Sequence, residues 1–181
     1  MYFLIVVLAY IFCHGVTSLL ITPLQSYFLP NVTIFASFLY LPHGVRVLAT
    51  WAYGWRAIPA LLLGAGLSEV VFARARAFEL LSPLFFESLL VGACCALVAF
   101  VAMRLLGRDM YLGRARGLQW RGVLSVGFLS SIVNSIGQGF VFDNIIQIND
   151  LPYILAVYTI GDVFGLVMCM FVLMLLFRQL R

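Results

Sequence analysis

Apolar runs of bilayer length are the feature that most constrains this chain. Six of them, near residues 2–22, 33–54, 57–73, 84–106, 121–142 and 152–177, occupy most of its 181 residues. A spanning helix needs about 20 apolar residues, and each run meets or nearly meets that length. Water-soluble chains carry about 25% charged residues. Here the figure is 10%, against 64% hydrophobic. The expected fold is all-α: a single integral membrane domain over residues 1–181, a polytopic bundle of about six transmembrane helices. No stretch remains for a soluble catalytic or DNA-binding domain.

Charge placement predicts the orientation. All 11 basic residues are arginines, set against seven acids. Arg104, Arg108, Arg114, Arg116 and Arg121 fall between the fourth and fifth runs with only Asp109 beside them. Arginine-rich short loops stay in the cytoplasm, so both termini are expected there, with Arg56, Arg178 and Arg181. Asp143 and Asp150 then fall outside. Arg74 and Arg76 also land outside, a mild conflict softened by Glu69, Glu79 and Glu87. The arginine loop is short and poor in aromatics, which suits contact with anionic lipid better than with nucleic acid. The run from Met1 to Ile21 lacks a basic start and a good cleavage site, so it is read as a retained first helix.

Within the bundle the sequence places polar groups sparingly. Asp162 lies near the middle of the last run, where a carboxylate needs a protein interior or a water-filled cavity, and a partner. Arg46, equally deep in the second run, is the expected partner. That second run contains Pro42, His43 and Gly44, and these predict a helix broken at Pro42–Gly44. Half-helices that meet inside a membrane expose free N–H groups, which transporters use to bind ligands. The fifth run carries a small-residue stripe, Gly127, Ser131, Ser135 and Gly139, at four-residue spacing. Such a stripe allows close helix approach. A polar stripe of Ser130, Asn134 and Gln138 runs beside it. In the sixth run Gly161, Gly165 and Cys169 share one face, and Tyr158 and Asp162 the neighbouring one. The expected ligand-binding or gating set is Pro42, His43, Gly44, Arg46, Asn134, Gln138, Tyr158 and Asp162. The expected packing set is Gly127, Ser131, Ser135, Gly139, Gly161 and Gly165.

Catalytic and metal chemistry find little support. The chain has no Gly-x-Ser-x-Gly, His-Glu-x-x-His, P-loop or Gly-x-Gly-x-x-Gly pattern. Its two histidines, His14 and His43, have no His or Glu three or four residues away, so no metal site is expected. Cys13, Cys94, Cys95 and Cys169 read as small apolar packing residues. Glu69 and Glu87 sit near helix ends, where charged groups reach the headgroups. No cofactor is expected.

Several runs resemble one family, the bacterial MASE-type (type 1) membrane-associated sensor domains. These are Tyr40-Leu-Pro-His-Gly44; Leu48 through Gly54-Trp-Arg56-Ala-Ile-Pro59 to Gly64-Ala; Phe86-Glu-Ser-Leu-Leu-Val-Gly92-Ala; and Ile160-Gly-Asp162-Val-Phe-Gly165. Their order and spacing are similar to the family signature from about residue 38 to 175. His43 stands where that signature has a second proline. The chain also ends about four residues after its last helix, without the kinase or cyclic-dinucleotide output domain that usually follows. The resemblance implies a non-catalytic, multi-pass module of the bacterial inner membrane. It would sense a small ligand or a membrane partner and pass the signal in trans. Expected partners are membrane lipids and a membrane protein or signalling output protein, with no nucleic acid. The alternatives are the substrate-binding membrane component of a micronutrient importer, or an accessory subunit of a large membrane complex.

Overall fold

The computed structural model describes residues 1–28, 37–72, 82–113, 120–141 and 151–179, and of 151–155 the backbone only. Expectations resting on Arg74, Arg76, Glu79, Arg114, Arg116, Asp143, Asp150 and Arg181 lie outside the described residues. Those described are helical, without strands.

The chain begins with α1 (Tyr2–Val16), which runs through a π-helical turn, Thr17–Ile21, into α2 (Thr22–Phe28). After a non-helical stretch, 37–40, come α3 (Leu41–Tyr53), a 3₁₀ turn (Gly54–Ala57) and α4 (Ile58–Phe72). Three longer helices follow: α5 (Pro83–Leu105), α6 (Trp120–Val141) and α7 (Leu151–Gln179). Ser82 caps α5, its hydroxyl accepting the Phe85 N–H at 3.2 Å, and Pro83 occupies the first turn, where its missing N–H costs nothing.

Five stretches among the described residues are long and apolar enough to cross a membrane: Tyr2–Phe28, Leu41–Phe72, Pro83–Leu105, Trp120–Val141 and Ala156–Gln179. The second is not straight. Against α1, Tyr2 stacks on Tyr53, Tyr10 bonds Arg46 and Thr17 bonds Leu41, so α3 runs antiparallel to α1. On the same helix Tyr10 lies against Gly64, and Gly15 and His14 against Phe72, so α4 runs parallel to it. The chain therefore reverses at the 3₁₀ turn. Gly54 makes this possible with φ 60°, a conformation that side chains resist.

The expected break in the second helix takes a different form. Pro42 lies in the first turn of α3, and the helix runs on without interruption to Tyr53. Residues 37–40 before it are not helical and bend at Phe38, and 29–36 lie outside the described residues. Proline is well placed in a first turn, because its ring pre-sets the helical φ.

Two apolar clusters flank the middle of the bundle. One joins α1, α3, α4 and α5 through Val7, Val45, Leu61 and Ala93. The other joins α3, α5, α6 and α7 through Val47, Phe100, Val126 and Leu166. Alanine and valine dominate both, and small side chains let helix backbones come close in a membrane, where packing replaces the hydrophobic drive. α3 is common to both clusters, so its polar residues sit between them.

Candidate functional site

Inside a membrane an irregular backbone survives only when protein satisfies its polar groups. The stretch 37–40 meets that condition. The Phe38 N–H donates to Gln25 Oε1 at 2.7 Å, the Tyr40 N–H to the Gly161 carbonyl at 3.0 Å, and the Leu41 N–H to Thr17 Oγ1 at 3.3 Å. The strap lies directly on α7. A side chain at Gly161 would collide with the Ser37 carbonyl, and one at Gly165 with the Tyr40 carbonyl. Gly44, one turn into α3, presses on Cys169 of α7. Gly161 and Gly165, read in the sequence as helix-packing positions, admit this non-helical strap.

Seating the strap brings His43 onto Asp162, the residue next to Gly161. His43 Nδ1 lies 3.3 Å from Asp162 Oδ2, with both side chains buried. That is within ion-pair reach but off the line of a hydrogen bond, since Nδ1 has no such partner. Nε2 lies 3.2 Å from the Gly127 carbonyl on α6. The same carboxylate oxygen accepts from Ser131 Oγ at 2.9 Å and from Asn134 Nδ2 at 3.4 Å. Asp162 thus ties α3, α6 and α7 together. Ser131 is 11 residues into α6 from Trp120, about 16 Å at the helical rise, so the cluster lies deep in the bundle.

Arg46 does not pair with Asp162. Among the described residues the ion pairs are His43 with Asp162 and Arg104 with Asp109. The Arg46 guanidinium turns to the other side of α3, donating to Tyr10 Oη at 2.8 Å. Its carbon stands 5.7 and 5.5 Å from the ring centroids of Tyr10 and Tyr40, where the ring faces stabilise a cation. Gly92 gives it room, for a side chain there would meet the guanidinium. Asp162 found the shorter, nearer His43 because the strap delivers that residue first. Arg46 lies three residues later and faces α1 and α5.

Of the other expected site residues, Asn134 joins the cluster, Pro42 stands in the first turn of α3 and Gly44 packs on Cys169 of α7. Gln138 does not reach Asp162. Its amide donates to the Ser88 carbonyl at 3.1 Å and fastens α6 to α5. Tyr158 is half-buried one turn before Asp162, and no hydrogen bond joins it to the cluster. Of the packing stripe, Gly127 receives Leu166, Ser131 serves Asp162, Ser135 is buried, and Gly139 is half-buried. Sequence reasoning missed Tyr10, Tyr40, Thr17 and Gln25. A tyrosine hydroxyl and a glutamine amide inside apolar helices are visible signals, but nothing local says which backbone they serve.

The chemistry follows from the donors and acceptors. Both ring nitrogens of His43 face oxygen acceptors. Nε2 carries a proton if it bonds the Gly127 carbonyl, and one further proton, on the imidazole or on the carboxyl, makes the Nδ1 contact favourable as well. The pair can hold or pass that proton. Beside it on α6, two buried polar atoms lack hydrogen-bond partners, Asn134 Oδ1 and Ser135 Oγ, and elsewhere in the bundle so do Thr50 Oγ1, Gln138 Oε1 and Arg46 Nε. Buried polar atoms are nearly always bonded, so the free Asn134 Oδ1 and Ser135 Oγ leave hydrogen-bonding capacity next to the carboxylate. No group of three metal-ligating side chains occurs among the described residues.

Fold and site together define a multi-pass, all-helical membrane protein with a buried polar centre. No family model matches the chain, and no curated protein or solved structure does.

Proposed function

We propose that this chain is a non-catalytic, sensor-like module of a bacterial inner membrane. It binds a small polar ligand or a membrane partner at the His43–Asp162 centre and relays the change to another membrane protein. One observation carries the reading: a buried carboxylate joins His43 at the start of α3 to α6, beside the unpartnered Asn134 Oδ1 and Ser135 Oγ. A guest that donates hydrogen bonds to Asp162 would displace His43 and loosen the strap's seat on α7. Intramembrane carboxylates of this kind are functional by default. The resemblance of the Gly161–Asp162–Gly165 and Tyr40–Gly44 runs to MASE-type sensor domains points the same way.

In this reading the α3–α4 hairpin counts as two crossings, which makes six, with both termini in the cytoplasm. Its support is the gathering of Arg56, Arg104, Arg108, Arg121 and Arg178 at one end of the bundle. Contacts of Tyr2 with Tyr53, Tyr111 with Gly54, and the Leu112 N–H with the Trp51 carbonyl identify that end.

The test is mild extraction of the tagged chain from its native membrane into lipid discs, followed by native mass spectrometry. The same is done for Asp162→Asn. The expected result is a stoichiometric small molecule or protein that accompanies the wild type and is lost from the variant. Identical spectra from the two, with the variant folded, would sink the proposal.

A further inference from the structure

A second site lies at the arginine end, away from the polar centre. Between α3, α6 and α7 lies an apolar groove of about 900 Å³, lined by Trp51, Trp120, Val123, Met174 and Phe177, with Arg178 the one charged residue of its lining. Volumes of this order are typical of ligand sites. Its walls stay open among the described residues: Trp120 is 53% exposed and Phe177 65%. The mouth is cationic. Arg121 follows Trp120, its guanidinium carbon 5.4 Å from the indole centroid. No carboxylate pairs with Arg121 or Arg178 among the described residues. Five described arginines (56, 104, 108, 121 and 178) share this end of the bundle with one acid, Asp109, which stands 3.9 Å from Arg104.

We infer that this groove is a specific site for an anionic phospholipid, its acyl chain against Trp51, Val123, Met174 and Phe177 and its phosphate against Arg178 and Arg121. The arrangement has the polarity of such a lipid. Apolar walls run inward, tryptophans stand at the level where indoles favour the membrane interface, and arginines lie beyond them where phosphates sit. A zwitterionic lipid would leave the charge excess unanswered. A second copy of the chain would bring a second set of unpaired arginines to the same mouth.

The groove's own tryptophans report on it. In a Trp55→Phe background, Trp51 and Trp120 are the remaining fluorophores. The full chain is reconstituted in phosphatidylcholine vesicles doped with phosphatidylglycerol carrying brominated acyl chains, and separately with brominated phosphatidylcholine at the same fraction. The expected result is several-fold stronger quenching by the anionic lipid. That preference should vanish in Arg121→Gln/Arg178→Gln and persist in Arg108→Gln, where the groove's arginines are intact. Added inorganic phosphate should not relieve it. Equal quenching by both headgroups would overturn the inference, leaving a groove filled by bulk lipid. So would no quenching by either, which means protein covers the groove, or relief by free phosphate, which means the site takes the ion alone. Unchanged helical circular dichroism certifies each variant.

Discussion

At the residue scale Asp162 concentrates the chemistry, because one carboxylate oxygen answers His43, Ser131 and Asn134. Removing it leaves three polar groups facing each other without an acceptor. Asp162→Ala should therefore cost about 3–5 kcal/mol, the range for breaking a buried pair. Asp162→Asn keeps an acceptor and should cost less, about 1–2 kcal/mol. Denaturant-driven or steric-trap unfolding in lipid measures both. Ser131→Ala should cost about 0.6–1.7 kcal/mol, as interhelical hydrogen bonds in membranes do. In a double-mutant cycle it should couple to Asp162→Ala more strongly than Arg46→Gln does, since Arg46 is bonded to Tyr10 instead. A larger coupling for Arg46 would restore the direct pair that residue types alone suggested. That suggestion went astray for a physical reason. Opposite charges at similar depth attract on paper, but a helix face decides which of them can meet. His43 and Arg46, three residues apart, face different neighbours: α6 and α7 for the first, α1 and α5 for the second.

At the scale of elements, the strap 37–40 and its seat on α7 place His43. Gly165→Val would drive a side chain into the Tyr40 carbonyl, a backbone atom that cannot rotate aside. Overpacking of that kind costs about 1–3 kcal/mol. Gly66→Ala is the matched control, its nearest neighbour the Leu89 Cδ1 at 3.9 Å. It should be neutral or gain up to about 1 kcal/mol from helix propensity. Thermal unfolding in detergent separates the two. The glycine spacing was legible in the sequence and the need for close approach followed from it. What approaches was not legible: an irregular backbone has no periodicity to betray it, and Gly161 would have served a helix equally well. Pro42 likewise read as a break because apolar residues flank it on both sides. The start of α3 has no polar cap to announce it, since Tyr40 makes no side-chain capping bond.

At the scale of the whole molecule, charge sorts the two ends of the bundle. Arg108 and Glu87 lie at opposite ends, one just past α5 and the other in its second turn. Under the proposed orientation, Arg108→Cys reacts with a membrane-impermeant maleimide from the cytoplasmic face and Glu87→Cys from the opposite face. Reaction of both from one face would refute the arrangement. The sequence by itself determined the membrane character, the helical class and the positions where small and polar residues are needed, because length and hydropathy are local properties and a bilayer imposes one length on every span. The tertiary structure alone decided the strap laid over Gly161 and Gly165, the partnership of Asp162 with His43 rather than Arg46, and the groove beside Trp120. Each of these depends on which helix faces meet, a matter of packing between segments distant in the chain.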